Sequence, residues 1–283
     1  MEIIIGKNAG FCFGAKRAVV NSIDSAKKEK VCCLGEIIHN QNVTDQLKTL
    51  GIEFINNIEQ ATGTTIIRAH GEPKSVYKKA KEMGIKLIDL TCPSVLKIHG
   101  IVNKYAKEGF YIIITGKINH PEVIGIKSYT KNKCKIIANL EELTEVLDEI
   151  SKEKKVLLIS QTTYNSRLFK EIANTLKEKL NSDTDLVIKN TICLTTENRQ
   201  EETKKIAQNV NVMIIVGDTR SANTTELYKI ASKYCPITQF VSSFDELNLS
   251  LINKNDKIGI MAGASTPKED IIKIKELLLK NYN

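Results

Sequence analysis

Short runs of β-branched and aliphatic residues alternate with segments of helical apolar spacing along the whole chain. This alternation restricts the chain to α/β architectures. The runs expected as strands are Glu2–Ile5, Val31–Leu34, Thr65–Arg68, Lys86–Leu90, Phe110–Thr115, Cys134–Ile137, Val156–Ser160, Leu186–Lys189, Val212–Val216, Ile237–Val241 and Lys257–Met261. Between them, Ala15, Ala18, Val19, Ser22, Ile23 and Ala26 mark one helical face, and Leu168, Ile172, Leu176 and Leu180 mark another. Helices between successive strands are the crossovers that parallel sheets require. No low-complexity segment or Pro/Gly-rich linker interrupts the pattern, so any domains are expected to be tightly joined.

The less common polar residues fall at matching points of this alternation. His39, His70 and Cys92 follow three successive strands. His120, Thr162 and Cys193 follow strands in a second round. Ser221 with Asn223, and then Ser265, begin a third round, whose cysteine is Cys12 if the N-terminal strand joins the C-terminal third. The repeat is one of layout and not of sequence identity. It predicts three similar α/β domains around a pseudo-threefold axis: residues 13–92, residues 93–193, and residues 194–283 together with 1–12. Parallel sheets bind ligands beyond the carboxyl ends of their strands, where these residues are expected. Helices start close by, and a helix N-terminus favours both thiolates and anions.

The chain has seven cysteines, an odd number, and no Cys-x-x-Cys pair. A disulfide framework, a zinc ribbon and a thioredoxin-type motif are all poor fits. A single free cysteine is ordinarily a small buried apolar residue. That reading is kept for Cys32, Cys33, Cys134 and Cys235, which lie in or beside expected strands. Cys12, Cys92 and Cys193 stand apart, one in each third and each at a strand-to-helix junction. Three thiolates with one His make a closed zinc site. Three thiolates with an open position suit an iron–sulfur cluster with one iron left for substrate. Spacing alone does not choose between them. The many His, Ser, Thr and Asn side chains at the same strand ends exceed what a closed structural site uses, and they are what an anion pocket needs.

The 283 residues carry a net charge of +8 with 5% aromatics. This fits a basic surface of solvated lysines, and no nucleic-acid module accompanies it. No apolar run approaches the roughly 20 residues of a membrane span. The start Met1-Glu2-Ile3-Ile4-Ile5-Gly6 lacks a basic leader, and a cytoplasmic location is expected.

Nine segments, in order, resemble the 4-hydroxy-3-methylbut-2-enyl diphosphate reductase (LytB/IspH) family over almost the whole length. They are Gly10-Phe11-Cys12-Phe13-Gly14-Ala15-Lys16-Arg17-Ala18, Gly35-Glu36-Ile37-Ile38-His39-Asn40, Arg68-Ala69-His70-Gly71, Asp89-Leu90-Thr91-Cys92-Pro93-Ser94-Val95, His120-Pro121-Glu122-Val123-Ile124-Gly125, Ser160-Gln161-Thr162-Thr163, Thr191-Ile192-Cys193, Thr195-Thr196-Glu197-Asn198-Arg199-Gln200 and Gly263-Ala264-Ser265-Thr266-Pro267. The resemblance implies a trefoil of three α/β domains with a central [4Fe-4S] cluster held by Cys12, Cys92 and Cys193. It implies diphosphate binding by His39, His70, Ser221, Asn223 and Ser265, with His120 and Thr196 also in the substrate pocket. Glu122 and Thr162 match the proton-delivery pair. The implied reaction removes an allylic hydroxyl reductively, giving isopentenyl and dimethylallyl diphosphates. A ferredoxin or flavodoxin is the implied electron donor, with neither nucleic acid nor membrane as partner.

The chain departs from the family's usual Gly-Ser-x-Asn-Ser-Ser-Asn, reading Gly217-Asp218-Thr219-Arg220-Ser221-Ala222-Asn223. Ala222 lacks a hydroxyl, Asp218 adds negative charge and Arg220 is placed to offset it. Lys117-Ile118-Asn119 also differ from the His and Gly that often precede His120. The rival readings are a zinc-bearing or metal-free nucleotide-binding or regulatory protein and a basic RNA-associated protein. Neither a Gly-x-Gly-x-x-Gly nor a Walker sequence supports the first.

Overall fold

A computed structural model describes residues 1–282. Among these residues, twelve strands alternate with ten α-helices. The strands are β1 (Glu2–Ile5), β2 (Val31–Leu34), β3 (Glu53–Ile55), β4 (Thr64–Ile67), β5 (Leu87–Asp89), β6 (Tyr111–Thr115), β7 (Cys134–Ile137), β8 (Lys155–Ser160), β9 (Asp185–Ile188), β10 (Val212–Val216), β11 (Ile237–Val241) and β12 (Lys257–Ala262). The helices are α1 (Phe13–Ala26), α2 (Gln41–Thr49), α3 (Lys74–Glu82), α4 (Pro93–Lys107), α5 (Pro121–Lys127), α6 (Leu140–Ile150), α7 (Ser166–Lys179), α8 (Leu194–Ala207), α9 (Ala222–Ser232) and α10 (Lys268–Tyr282). None of the helices is long and apolar enough to cross a membrane.

The strands form three four-stranded sheets, ordered β3-β2-β4-β5, β7-β6-β8-β9 and β11-β10-β12-β1. Every pairing in them is parallel. With β1 counted after β12, all three sheets share one order: second, first, third, fourth. The chain therefore reverses direction across each sheet between the first strand and the third. That reversal is the point at which open α/β sheets leave a crevice for ligands. The strand missing from the expected pattern is β3. It is three residues long and begins with an exposed Glu53, too short for apolar periodicity to register.

The chain forms two compact units. One contains residues 1–19, 38–46 and those from Leu194 on. The other contains residues 20–37 and 47–193. In the first unit, alternate residues of β10 and β12 face opposite ways. Val212, Ile214, Val216, Ile258 and Ile260 pack with Ile271, Ile274 and Leu278 of α10. Met213, Ile215 and Met261 pack with Ile206 of α8 and Leu227 of α9. The β7-β6-β8-β9 sheet of the second unit repeats the scheme. Ile113 and Leu158 meet Leu143, Phe169, Ile172 and Leu176, while Ile112, Ile114, Leu157 and Ile159 meet Ile98, Val102, Val123 and Ile126. Covering on both faces is why the central strands read as unbroken apolar runs. Each fully buried aliphatic side chain in these layers contributes roughly 1.5–3 kcal/mol.

Candidate active site

The residues singled out by layout sit at equivalent strand ends. His39, His120 and Ser221 with Asn223 follow the first strands β2, β6 and β10. His70, Thr162 and Ser265 follow the third strands β4, β8 and β12. Cys92, Cys193 and Cys12 follow the fourth strands β5, β9 and β1.

In the first unit, the loop after β12 organises its neighbours. Ala264 accepts through its carbonyl from Cys12 N–H at 3.1 Å and donates its own N–H to Asn223 Oδ1 at 3.0 Å. Cys12 stands at the start of α1, and Ala15 N–H donates to its Sγ at 3.3 Å. Ser221 caps α9 by accepting from Thr224 N–H at 3.3 Å. Asn223 Nδ2 and Ser265 Oγ, in residues 3% and 7% exposed, have no hydrogen-bond partner among the described residues. A buried donor left unmade costs about 1–3 kcal/mol, which a ligand carrying oxygen acceptors recovers. Backbone reaches this point only because glycines permit it. Gly217 has φ +141°, and a Cβ on Gly263 would overlap the Thr224 hydroxyl.

The departure segment folds locally onto itself. Arg220 forms an ion pair with Asp218 at 2.6 Å. Burial pushes the Asp218 carboxyl up, but the Arg220 guanidinium and the backbone N–H groups of Arg220 and Gln41 bring it below its ordinary value. Thr196 is buried in the first turn of α8. One turn later Arg199 donates Nε to the Asn8 carbonyl at 2.6 Å and Nη2 to the Gly10 carbonyl. Glu202 accepts from the N–H groups of Lys7 and Asn8 at 2.7 and 2.9 Å. The segment leading to Cys12 is thus strapped to α8. In the sequence, Arg199 stands in a matching motif with no role attached, and nothing marks Glu202. A charged residue spaced with buried Thr196 and Thr203 on one helix was the available signal.

In the second unit, Ala69 links three loops. Its N–H donates to the Ile37 carbonyl at 3.2 Å and its carbonyl accepts from Cys92 N–H at 2.9 Å, so the loop bearing His70 is fixed beside Cys92. Cys92 precedes Pro93 at the start of α4, and Ser94 Oγ in that first turn lies 3.9 Å from Cys193 Sγ. Cys193 N–H donates to the Thr162 carbonyl at 3.0 Å. His120 caps α5, its Nδ1 accepting from Glu122 N–H at 3.2 Å. That bond fixes the tautomer, because an accepting Nδ1 leaves the proton on Nε2. The His70 and His120 rings meet edge to face at 5.3 Å.

Glu122 is 2% exposed. Its Oε1 accepts from Thr162 N–H at 2.6 Å, and its Oε2 lies 2.7 Å from Thr162 Oγ1. Burial pushes its carboxyl up to about 7, although both Thr162 bonds favour the charged form. A backbone N–H only donates, so Oε1 is held as an acceptor. When the carboxyl is neutral its proton therefore sits on Oε2, against a hydroxyl that can accept and pass it on.

His99 and three of the four remaining cysteines behave as core residues, whereas Cys134 in β7 is half-buried and accepts from the Thr130 hydroxyl at 3.2 Å. Cys32, Cys33 and Cys235 are buried, and burial pushes the Cys33 thiol up to about 12. His99 is buried and stacks on Tyr129 at 4.4 Å, with burial holding its imidazole down to about 4. Cys12, Cys92 and Cys193 are half-buried at helix starts and form no disulfide. Each of the three is thus a partly accessible thiol at a helix start, a donor of the kind metal–sulfur groups use, and Cys12 Sγ already accepts an N–H bond.

A model of the LytB protein family matches residues 3–279. The chain is 39% identical to the 4-hydroxy-3-methylbut-2-enyl diphosphate reductase of Clostridioides difficile (strain 630), over 98% of this chain and 100% of that protein. It is 38% identical to the enzyme of the same name from Aquifex aeolicus (strain VF5), over 97% and 95%. A solved structure of (E)-4-hydroxy-3-methyl-but-2-enyl diphosphate reductase, described as the terminal enzyme of the non-mevalonate pathway, is 37% identical with a TM-score of 0.70, covering 99% of this chain and 100% of that one. The E-1-hydroxy-2-methyl-but-2-enyl-4-diphosphate reductase from Plasmodium falciparum is 28% identical with a TM-score of 0.90, covering 98% and 87%. With a family model spanning nearly every residue and relatives aligned end to end, the chain belongs to the LytB family.

Proposed function

We propose that the chain is a 4-hydroxy-3-methylbut-2-enyl diphosphate reductase. It removes the allylic hydroxyl and yields isopentenyl and dimethylallyl diphosphates, the last step of the methylerythritol phosphate route to isoprenoids. Cys12, Cys92 and Cys193 hold a [4Fe-4S] cluster, one cysteine from each of three domains (residues 13–92, 93–193, and 194–283 with 1–12). When bound, the cluster would relay the external donor's two electrons, one at a time, and would supply Lewis-acid chemistry for the departure of the hydroxyl. Two electrons and two protons balance the reaction, with the C–O bond replaced by C–H and the oxygen leaving as water.

The protein's own side chains bind the diphosphate and move the proton. His39, His70, His120, Thr196, Ser221, Asn223 and Ser265 hold the anion and the carbon chain. The unpaired donors of Asn223 and Ser265 and the Nε2–H of His120 support this role. Glu122 is the acid, and Thr162 is the hydroxyl through which its proton leaves Oε2. The observation that carries the reading is the buried Glu122, pushed up to about 7 while bonded to Thr162. Such a carboxyl is half protonated near neutral pH, which a donor to a poor leaving group requires. We place the enzyme in the cytoplasm, drawing electrons from a ferredoxin or flavodoxin.

Anaerobic purification tests the reading. The protein is expected to be brown, with about four irons and four sulfides, and to reduce the diphosphate with an artificial donor. Cys193→Ser is expected to lose iron and turnover together. A colourless protein holding one zinc, or full turnover in the Cys193 variant, overturns it.

A further inference from the structure

The two residues after His39 are held from two loops within the first unit. Asn40 Nδ2 donates to the Ser265 carbonyl at 2.9 Å. Gln41 N–H, the first of α2, donates to Asp218 Oδ2 at 3.1 Å. Asp218 is 9% exposed. Its oxygens also accept from Arg220 N–H at 2.8 Å, Nε at 3.0 Å and Nη2 at 2.6 Å, and Arg220 Nη2 donates to Gln41 Oε1 at 3.3 Å. The loop that bears Ser221 and Asn223 therefore grips the start of the helix that follows His39. A carboxylate in an anion-binding loop ordinarily repels the ligand. Here four N–H donors surround it and a guanidinium cancels its charge, so its remaining effect is mechanical.

We infer that Asp218, locked by Arg220, is a positioning residue that holds His39 in place against the Ser221–Asn223 loop. The inference rests on the diphosphate reading of that site. Asp218 and Arg220 act through His39 and not on the substrate. The family's usual residues at these positions, Ser and Asn, are uncharged, so the pair also separates this chain from the common pattern.

The test uses anaerobically purified holoprotein, with inorganic pyrophosphate in calorimetry and the hydroxylated diphosphate in steady-state assays. Asp218→Ala is expected to raise the pyrophosphate Kd and the substrate KM about tenfold, with kcat within about twofold. Asp218→Asn keeps an oxygen for Gln41 N–H and is expected to lose only about threefold. Because Asp218 acts through His39, adding Asp218→Ala to His39→Ala is expected to cost less than about twofold more. Wild-type affinity in Asp218→Ala, or losses that multiply in the double variant, overturns the inference. Should Asp218→Ala fail to fold by near-UV circular dichroism, the same cycle with Asp218→Asn decides. If His39→Ala weakens binding while both Asp218 variants leave it intact, the inference fails alone. If wild-type protein does not bind pyrophosphate and His39→Ala leaves KM unchanged, the diphosphate reading fails and takes the inference with it.

Discussion

Glu122 carries a conflict between stability and use. Its neutral form is favoured by burial, and its folded value of about 7 lies above the ordinary 4.5. Protons are thus bound more tightly by the folded chain than by the unfolded one. The stabilisation is complete below about pH 4.5 and is lost as pH rises through about 7. Glu122→Gln keeps an acceptor for Thr162 N–H and places a donor against Thr162 Oγ1, with no charge to bury. The variant is expected to be more stable than wild type at pH 8, by on the order of 1–3 kcal/mol, with a correspondingly higher melting temperature, and to match it near pH 4. Its turnover is expected to fall at least about hundredfold, and the alkaline limb near pH 7 in the wild-type pH–rate profile is expected to vanish. Calorimetry across pH and single-turnover assays check both; equal melting at pH 8 removes the argument from burial. At this scale the sequence was legible where a residue type is rare. The histidines and the three junction cysteines stood out by position. Glu122 did not, because a Glu after His-Pro at a helix start is ordinary, and only the family motif singled it out. Its altered acidity comes from burial, against the pull of Thr162, which lies on another loop; neither is visible to local pattern.

Among the elements, α8 was the hardest to read. Its buried positions are Thr196, Arg199, Gln200 and Thr203, followed only at the end by Ile206 and Ala207. Apolar periodicity therefore finds no face on it, while β6, β8 and β10 were found at once as unbroken apolar runs. The polar interior of α8 has a use. Arg199 satisfies two backbone carbonyls of the segment that ends at Cys12, and Glu202 satisfies two N–H groups of the same segment. One helix, beginning directly after Cys193, thereby sets the path of the chain to Cys12. Arg199→Met leaves both carbonyls without their donor. It is expected to cost on the order of 2–3 kcal/mol and to speed iron loss to a chelator under anaerobic conditions, with Arg199→Lys intermediate. Thermal melts and chelator-release kinetics measure these. Unchanged iron release in a destabilised Arg199→Met protein would show that the strap supports the fold and not the thiol.

At the scale of the whole molecule, the threefold layout was legible because equivalent strand ends bear equivalent residues. β1 completes the β11-β10-β12-β1 sheet by pairing with β12, which puts Cys12 after a fourth strand like Cys92 and Cys193. The net charge of +8 is a property of the same scale and acts on association, not on the fold. A one-electron carrier with an acidic surface is drawn to such a chain over distances that salt cuts to about 8 Å at physiological ionic strength. Steering of this kind changes the rate of encounter more than the strength of the final complex. The rate of reduction by an acidic carrier, taken at low carrier concentration, is therefore expected to fall roughly tenfold between 20 mM and 500 mM salt. A cationic viologen is repelled by the same charge, so its rate is expected to hold or rise over that range. Stopped-flow reduction of the holoprotein by each donor separates the cases. A parallel fall with both donors would trace the salt effect to the protein's own conformation, and salt-independence with the acidic carrier would mean that the basic surface plays no part in delivering electrons.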